Sequence, residues 1–167
     1  MILQLQNIDP QRIAAIDSNG VQLAYADIAL LSQHISTNIP NRALCFLLVE
    51  NNIGGIAWTM SMLESQQLVP LILNVKTEDT LYQQLLDTYQ PSYICAPSYI
   101  TLKGEVIDSQ FGYQLCKVSD NHCVLHPELS HLLPTSGSTG SPKLVRHKYD
   151  NIEAAGLNIS TFFEIKE

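Results

Sequence analysis

The chain has 167 residues, of which 46% are apolar and 15% charged, and its formal net charge is −7. That length fits a single domain, residues 1–167, able to bury a core without staples, and the apolar content excludes intrinsic disorder. The acidic balance excludes a general nucleic-acid or membrane-surface binder. The charged fraction is low for a soluble protein and points to some surface meant for a partner.

Ile13–Asp17 and Val21–Ala24 flank Ser18-Asn19-Gly20, and an Asn-Gly pair between short apolar runs predicts a small N-terminal hairpin. Ile28, Leu31 and Ile35 recur at helical spacing and predict a helix over Tyr25–Thr37, ended by Pro40. Ala43–Val49 reads ALCFLLV, a continuous apolar run that fits a strand buried on both faces of a parallel sheet. Glu50-Asn51-Asn52 then supplies a polar break and a helix cap. Ile53–Gln67 predicts a largely buried helix, with Trp58, Met60 and Met62 packing on the sheet and Gly54 and Gly55 allowing close approach.

Leu68–Leu73 is a second apolar run, and Pro70 inside it suggests an edge strand or a strand start. Thr77-Glu78-Asp79-Thr80 opens a third helix with Leu81, Leu85 and Tyr89 on one face, closed by Pro91. Tyr93–Ala96 is a third short strand. Strand, helix, strand, helix, strand is the pattern of right-handed parallel crossovers. It predicts an α/β fold of three layers, a mostly parallel central sheet flanked by helices. Phe111–Val118 reads as one more strand, with a hairpin partner near Ile100–Leu102. Asp150 and Asn151 cap a last helix over Ile152–Phe163.

The four cysteines, Cys45, Cys95, Cys116 and Cys123, form no C-x-x-C, and two lie in apolar runs. Reduced thiols and a cytoplasmic setting are expected. No signal peptide is expected, and the longest apolar-leaning stretch, Ile53–Leu63, is short of the roughly 20 residues a bilayer-spanning helix needs. The apolar last residues, Phe162-Phe163-Glu164-Ile165, suggest a piece of something larger.

The strongest chemical signal follows Leu132-Leu133. Residues Thr135, Ser136, Gly137, Ser138, Thr139, Gly140, Ser141, Pro142 and Lys143 form a loop rich in glycine and hydroxyls. Gly137 and Gly140 permit positive φ and close backbone approach. The hydroxyls and free N–H groups can build an anion-binding nest. Lys143 adds a flexible point charge, and Arg146 can add another. Arg146, His147 and Lys148 extend a local basic cluster within an acidic chain. The set suits a polyphosphate. It is not a Walker loop, because only Ser138-Thr139 separate the glycines and Ser141-Pro142 intervene before Lys143. The alternative is a plain flexible Ser/Gly connection; the Pro-Lys that follows and the flanking apolar strands argue against it.

Leu132–Val145 closely resembles the signature of the adenylate-forming superfamily, which includes acyl-CoA synthetases, nonribosomal peptide synthetase adenylation domains and luciferases. Its usual form is Thr-Ser-Gly-Ser/Thr-Thr-Gly-x-Pro-Lys-Gly-Val. The upstream order agrees: Ala24-Tyr25-Ala26-Asp27-Ile28 sits where the family has an early Leu-Thr-Tyr segment, and Val69-Pro70-Leu71 where it has Val-Pro-Leu. Leu144 departs from the usual glycine, and Lys148-Tyr149 from the usual Ser/Thr-His. The resemblance implies the N-terminal part of the large domain of an ATP-dependent, AMP-forming acid ligase. It implies ATP with Mg2+, a carboxylic-acid substrate and a thiol acceptor in the complete enzyme. Residues 135–143 would hold the β and γ phosphates. The magnesium-linked acid, the adenine and ribose motifs and the catalytic lysine of the family lie downstream and have no matching position, so no catalytic residue is carried over and the chain alone is expected to be inactive. The alternative is a free-standing, non-catalytic phosphate- or nucleotide-binding module. Self-association through exposed surface is a further expectation.

Other candidates are weaker. His122, Cys123, His126 and His131 fit no standard zinc spacing, so a surface loop and no metal site are expected. His34 reads as a polar-face helix residue. Asp17, Glu50 and Asp120 form no acid/base pair that sequence can place together.

Overall fold

A computed structural model describes residues 5–121, 123–135 and 143–165. A two-stranded hairpin, β1 (Ile13–Ile16) and β2 (Gln22–Ala24), precedes the main sheet. Its turn is held by the Asp17 carboxylate, which accepts from the N–H groups of Asn19 and Val21, while Gly20 takes φ +79°. Then follow α1 (Tyr25–Asn38), β3 (Ala43–Val49), α2 (Ile53–Ser65), β4 (Leu68–Asn74), α3 (Asp79–Tyr89) and β5 (Tyr93–Pro97). After these come β6 (Glu105–Gln110), β7 (Tyr113–Lys117), β8 (Leu129–Pro134), β9 (Leu144–Lys148) and α4 (Tyr149–Phe162). The seven-stranded sheet has the order β6-β7-β5-β3-β4-β8-β9. Strands β5, β3, β4 and β8 run parallel; β7 is antiparallel to β5 and to β6, and β9 is antiparallel to β8, with β6 and β9 at the edges.

Because strand side chains alternate, β3 feeds two cores at once. Ala43, Cys45 and Leu47 join Ile28, Leu31 and Ile35 of α1 and Ala57, Trp58 and Met62 of α2 on one face. Leu44, Phe46 and Leu48 join Leu85 of α3, with Leu71, Leu73 and Leu132, on the other. This is the expected three-layer α/β arrangement. The helix ends follow local chemistry. Asp27 accepts from the N–H of Ala24 at 2.8 Å at the start of α1, and Asn52 caps α2 by accepting from Gly55 N at 2.9 Å. Gly54 is a point of close packing: a Cβ there would lie 2.4 Å from the Phe111 carbonyl oxygen and 2.5 Å from the Tyr113 ring.

Three expectations are corrected. Pro70 lies inside the sheet, opposite Cys45 of β3, one residue before the point where Leu71 meets Leu132 of β8. A proline is tolerated there beside the start of a pairing, although the strand is not an edge. The hairpin partner of β7 is Glu105–Gln110, not Ile100–Leu102. Gly104 (φ +147°) precedes it, and Phe111 and Gly112, at φ +53° and +72°, make the reversal. Helix α4 begins at Tyr149, with Lys148 at the cap position, so Asp150 lies inside its first turn, where a carboxylate complements the helix dipole, rather than at the cap. The three thiols inside the sheet, Cys45, Cys95 and Cys116, are buried, and burial pushes each pKa up, which makes them inert. Among the described residues no helix is long and apolar enough to cross a membrane.

Candidate phosphate-binding site

Of the nine loop residues singled out in the sequence, Thr135 and Lys143 are described; Ser136, Gly137, Ser138, Thr139, Gly140, Ser141 and Pro142 lie outside the described residues. The two described residues close the base of a hairpin. Thr135 N donates to the Lys143 carbonyl at 2.9 Å, and Thr135 Oγ1 donates to the same oxygen at 3.2 Å. Below them Pro134 faces Leu144, Leu133 faces Val145, Leu132 faces Arg146 and His131 faces His147. Strand β8 enters parallel to β4, so this base sits at the carboxyl-terminal end of the parallel strands.

That end is where open α/β sheets bind ligands, at the point where successive connections leave toward opposite faces. Here β3 leads into α2 on one face and β4 into α3 on the other. The rim between them is polar and ordered by side chains. Tyr99 Oη donates to Glu50 Oε1 at 2.6 Å, Asn52 Nδ2 donates to Glu50 Oε2 at 3.1 Å, and Glu50 N donates to Tyr113 Oη at 3.0 Å. The hydrogen bond to Glu50 raises the Tyr99 pKa, and burial raises that of Tyr113. Asn74 at the end of β4 accepts from Lys76 N through its side chain. Two cavities open at this end, one of about 720 Å³ lined by Leu48 and Val75 and one of about 550 Å³ lined by Val49, Glu50 and Asn52, and neither is lined by Thr135 or Lys143. Asp17 and Glu50, which sequence could not place together, both line the second.

The basic cluster is distributed rather than gathered. Alternation along β9 puts Arg146 on the face of Leu144 and Leu132, where it lines a cavity with Leu44 and Tyr89. Lys148 Nζ lies 2.6 Å from Glu128 Oε2 and is spent on that pair, which raises the lysine pKa and lowers that of the carboxyl. His147 stacks on His131. Lys143 alone of the four lies at the loop base, with no ion pair among the described residues. The departures from the family signature have structural uses. Leu144 packs against the α3-side core, and the Tyr149 ring lies 6.0 Å from the Arg42 guanidinium. Arg42 in turn donates to the carbonyls of His126, Pro127 and Leu129, fixing the start of β8.

Two groupings had no sequence signal strong enough to be read. The Glu50–Tyr99–Tyr113 contact spans segments far apart in the chain. The His131–His147 pair was readable only once the hairpin was closed at Thr135 and Lys143, since each lies four residues back from that closure. His122 lies outside the described residues, and no group of three or more metal-ligating side chains forms among the described ones.

The two rings lie 4.4 Å apart at 2°. Burial, and secondarily the charge of His147, pushes the His131 pKa down from 6.5 to about 4. The unfolded chain therefore takes up a proton near pH 6.5 that the folded chain refuses until about pH 4. The contribution is present above pH 6.5 and is lost as pH falls through this window. The ring is only half-buried, so the loss is discounted for solvent screening to about 1–2 kcal/mol in all, roughly 1 kcal/mol of it between pH 7 and 5. Urea denaturation in metal-free buffer should show that drop, and His131→Leu should flatten it; an equal drop in the variant would assign the effect elsewhere.

The chain matches no protein-family model and no curated protein by sequence. Solved structures do match. O-succinylbenzoate coenzyme A synthetase (MenE) from Bacillus subtilis, in complex with AMP, superposes with a TM-score of 0.70 at 16% identity, over 99% of this chain and 46% of that one. VinN in complex with 3-methylaspartate gives 0.68 at 20% identity, over 96% and 49%. ATP-bound MatB from Rhodopseudomonas palustris gives 0.69 at 13% identity, over 99% and 38%. The chain has the fold of the N-terminal portion of an adenylate-forming enzyme. It spans less than half the length of each of these proteins.

Proposed function

We propose that this chain is the N-terminal portion of an ATP-dependent carboxylate ligase of the acyl-adenylate-forming kind, and that it supplies the ATP phosphate-binding loop. The observation that carries this reading is the β8–β9 hairpin. It brings Thr135 and Lys143 together at the carboxyl end of a parallel sheet, in a fold shared with structures solved with AMP and ATP. In this reading residues 135–143 hold the β and γ phosphates while a substrate carboxylate attacks the α phosphorus and pyrophosphate leaves. The chain's own part is positioning and charge stabilisation, by loop N–H groups, hydroxyls and Lys143. Mg2+ would accompany the nucleotide; its ligand is expected in the part of the fold this chain does not span. A thiol acceptor would take the acyl group in the complete enzyme.

The described residues hold no assembled acid/base or nucleophilic set at the hairpin, so the chain by itself should bind phosphate without catalysis. Carboxylate-dependent exchange of labelled pyrophosphate into ATP checks this: the pure chain should show none above background, and robust exchange would overturn the claim. The second reading, a non-catalytic phosphate- or nucleotide-binding module, is favoured by the same missing set. Leu157, Phe162, Phe163 and Ile165 are each more than 60% exposed and form the surface through which we expect self-association.

A further inference from the structure

The larger cavity, of about 720 Å³, is not used by the phosphate loop, and its shape follows from α3. Asp79, Tyr82 and Leu86 line it, with Gln90 at the helix end. Spacings of three and four residues put them in one stripe, beside the Leu81–Leu85 stripe that packs on the sheet. The stripe runs the length of α3, so the groove is roughly 16 Å long at about 1.5 Å per residue. Leu48 and Ile94 floor it from the sheet face under α3, and Ile100 and Leu102, from the segment joining β5 to β6, complete the lining. Those last two are apolar without being in a strand; lining this groove is the use the fold makes of them. A cleft of this size with apolar walls and few polar groups is the ordinary form of a small-molecule site.

Most polar groups at its rim are committed. Thr77 Oγ1 donates to the Asn74 carbonyl at 2.7 Å, Ser119 Oγ to the Pro91 carbonyl at 3.1 Å, and Asn121 Nδ2 to the Gln90 side-chain oxygen at 3.3 Å. Asp79 and Lys103 are the charged lining groups, and neither joins an ion pair among the described residues. They sit at opposite ends. Asp79 opens α3 just after β4, at the carboxyl end of the parallel strands. Lys103 lies two residues before Glu105, which pairs with Lys117, the residue that also pairs with Tyr93 at the amino end of β5. Lys117 is held by Asp120 at 2.5 Å, so Lys103 is the uncommitted cation at that end. We propose that this groove binds an unbranched fatty acid of medium chain length, its hydrocarbon along the Tyr82–Leu86 stripe and its carboxylate at Lys103. The carboxylate then lies away from Asp79 and from the hairpin base of Thr135 and Lys143, so the acid is held there rather than placed for reaction with a nucleotide. The site is separate from the phosphate loop and independent of the ligase reading.

The test is calorimetric titration of sodium decanoate, below its micelle concentration, into the chain at pH 7.5. One saturable site should appear, with affinity rising by up to roughly fourfold per added methylene from hexanoate to decanoate. Lys103 is exposed, so Lys103→Ala tests the head group without touching the core. It should weaken decanoate roughly 5- to 30-fold and leave octan-1-ol within twofold. Leu86→Trp and Leu102→Trp fill the groove from its two walls, and whichever of them keeps the parent's circular dichroism should weaken both ligands at least tenfold. Lys143→Ala should change neither. The proposal is overturned by the absence of a saturable decanoate site, by many-site uptake of the detergent kind, or by decanoate binding that Lys103→Ala or a folded groove-filling variant leaves within twofold of the parent.

Discussion

Trp58→Ala should destabilise the chain by about 3–5 kcal/mol, the usual range for emptying a fully buried indole site. Trp58 heads the fully buried side chains, with 0% exposure, and sits between α2 and the sheet face formed by Cys45, Leu47, Cys95 and Leu115. Alanine removes the packing and leaves a cavity that the flanking strands cannot close, because β3 is pinned on both sides by β4 and β5. It also strands the Gln110 carbonyl, which now accepts from Trp58 Nε1 at 3.1 Å; an unmet acceptor adds about 1 kcal/mol to that loss. Against a total stability of about 5–15 kcal/mol this is a large fraction. It should lower the melting temperature by roughly 10 °C or more. Trp58→Phe, which keeps most of the ring and loses the N–H, should cost about 1–2 kcal/mol. Urea denaturation followed by circular dichroism measures both, since the chain's one tryptophan is the residue removed. A loss below about 1 kcal/mol for the alanine variant would mean that α2 does not pack as described.

The core strands were legible because two-sided burial writes itself into composition. ALCFLLV has no polar position to spare, and β3 indeed faces a core on each side. Helices α1 and α3 were legible from their apolar spacing, and α2 from its Asn cap. The edge was not legible. Strand β6 reads EVIDSQ, mostly exposed or half-exposed. An edge strand pairs on one side only, so its side chains carry little apolar pattern; Ile100–Leu102, which is more apolar, drew the assignment instead. Pro70 misled for a different reason. The rule that prolines sit at edges concerns one missing N–H, and a strand whose neighbour joins only one residue later can spare that donor.

The sequence marked residues 135–143 as one glycine- and hydroxyl-rich loop; Thr135 and Lys143, its described residues, close the base of the β8–β9 hairpin. What sequence could not supply was the sharing-out of the basic residues. Lys143, Arg146, His147 and Lys148 look like one cluster in a line of text. Strand alternation, the Glu128 carboxylate and the His131 ring divide them, leaving Lys143 as the cation at the loop base.

Polyphosphate affinity should therefore depend on Lys143 more than on any other basic side chain of the hairpin. Its ammonium is exposed, so the contact is charge-assisted and screened by salt. Losing one such contact costs about 1–2 kcal/mol, a weakening of roughly 5- to 30-fold. Lys148→Ala, which removes a cation already held by Glu128, should change affinity less than twofold. On the proposed reading the adenine and ribose contacts belong to the part of the fold this chain does not span, so ATP should bind little better than inorganic triphosphate. The decisive measurement is calorimetric titration of ATP and of triphosphate, at low salt, into the parent chain and into Lys143→Ala. Weak and comparable binding of both ligands, lost by 5- to 30-fold in the variant and reduced by added salt, is the expected result. Tight ATP binding that Lys143→Ala leaves unchanged would place the anion site elsewhere and contradict the assignment of residues 135–143.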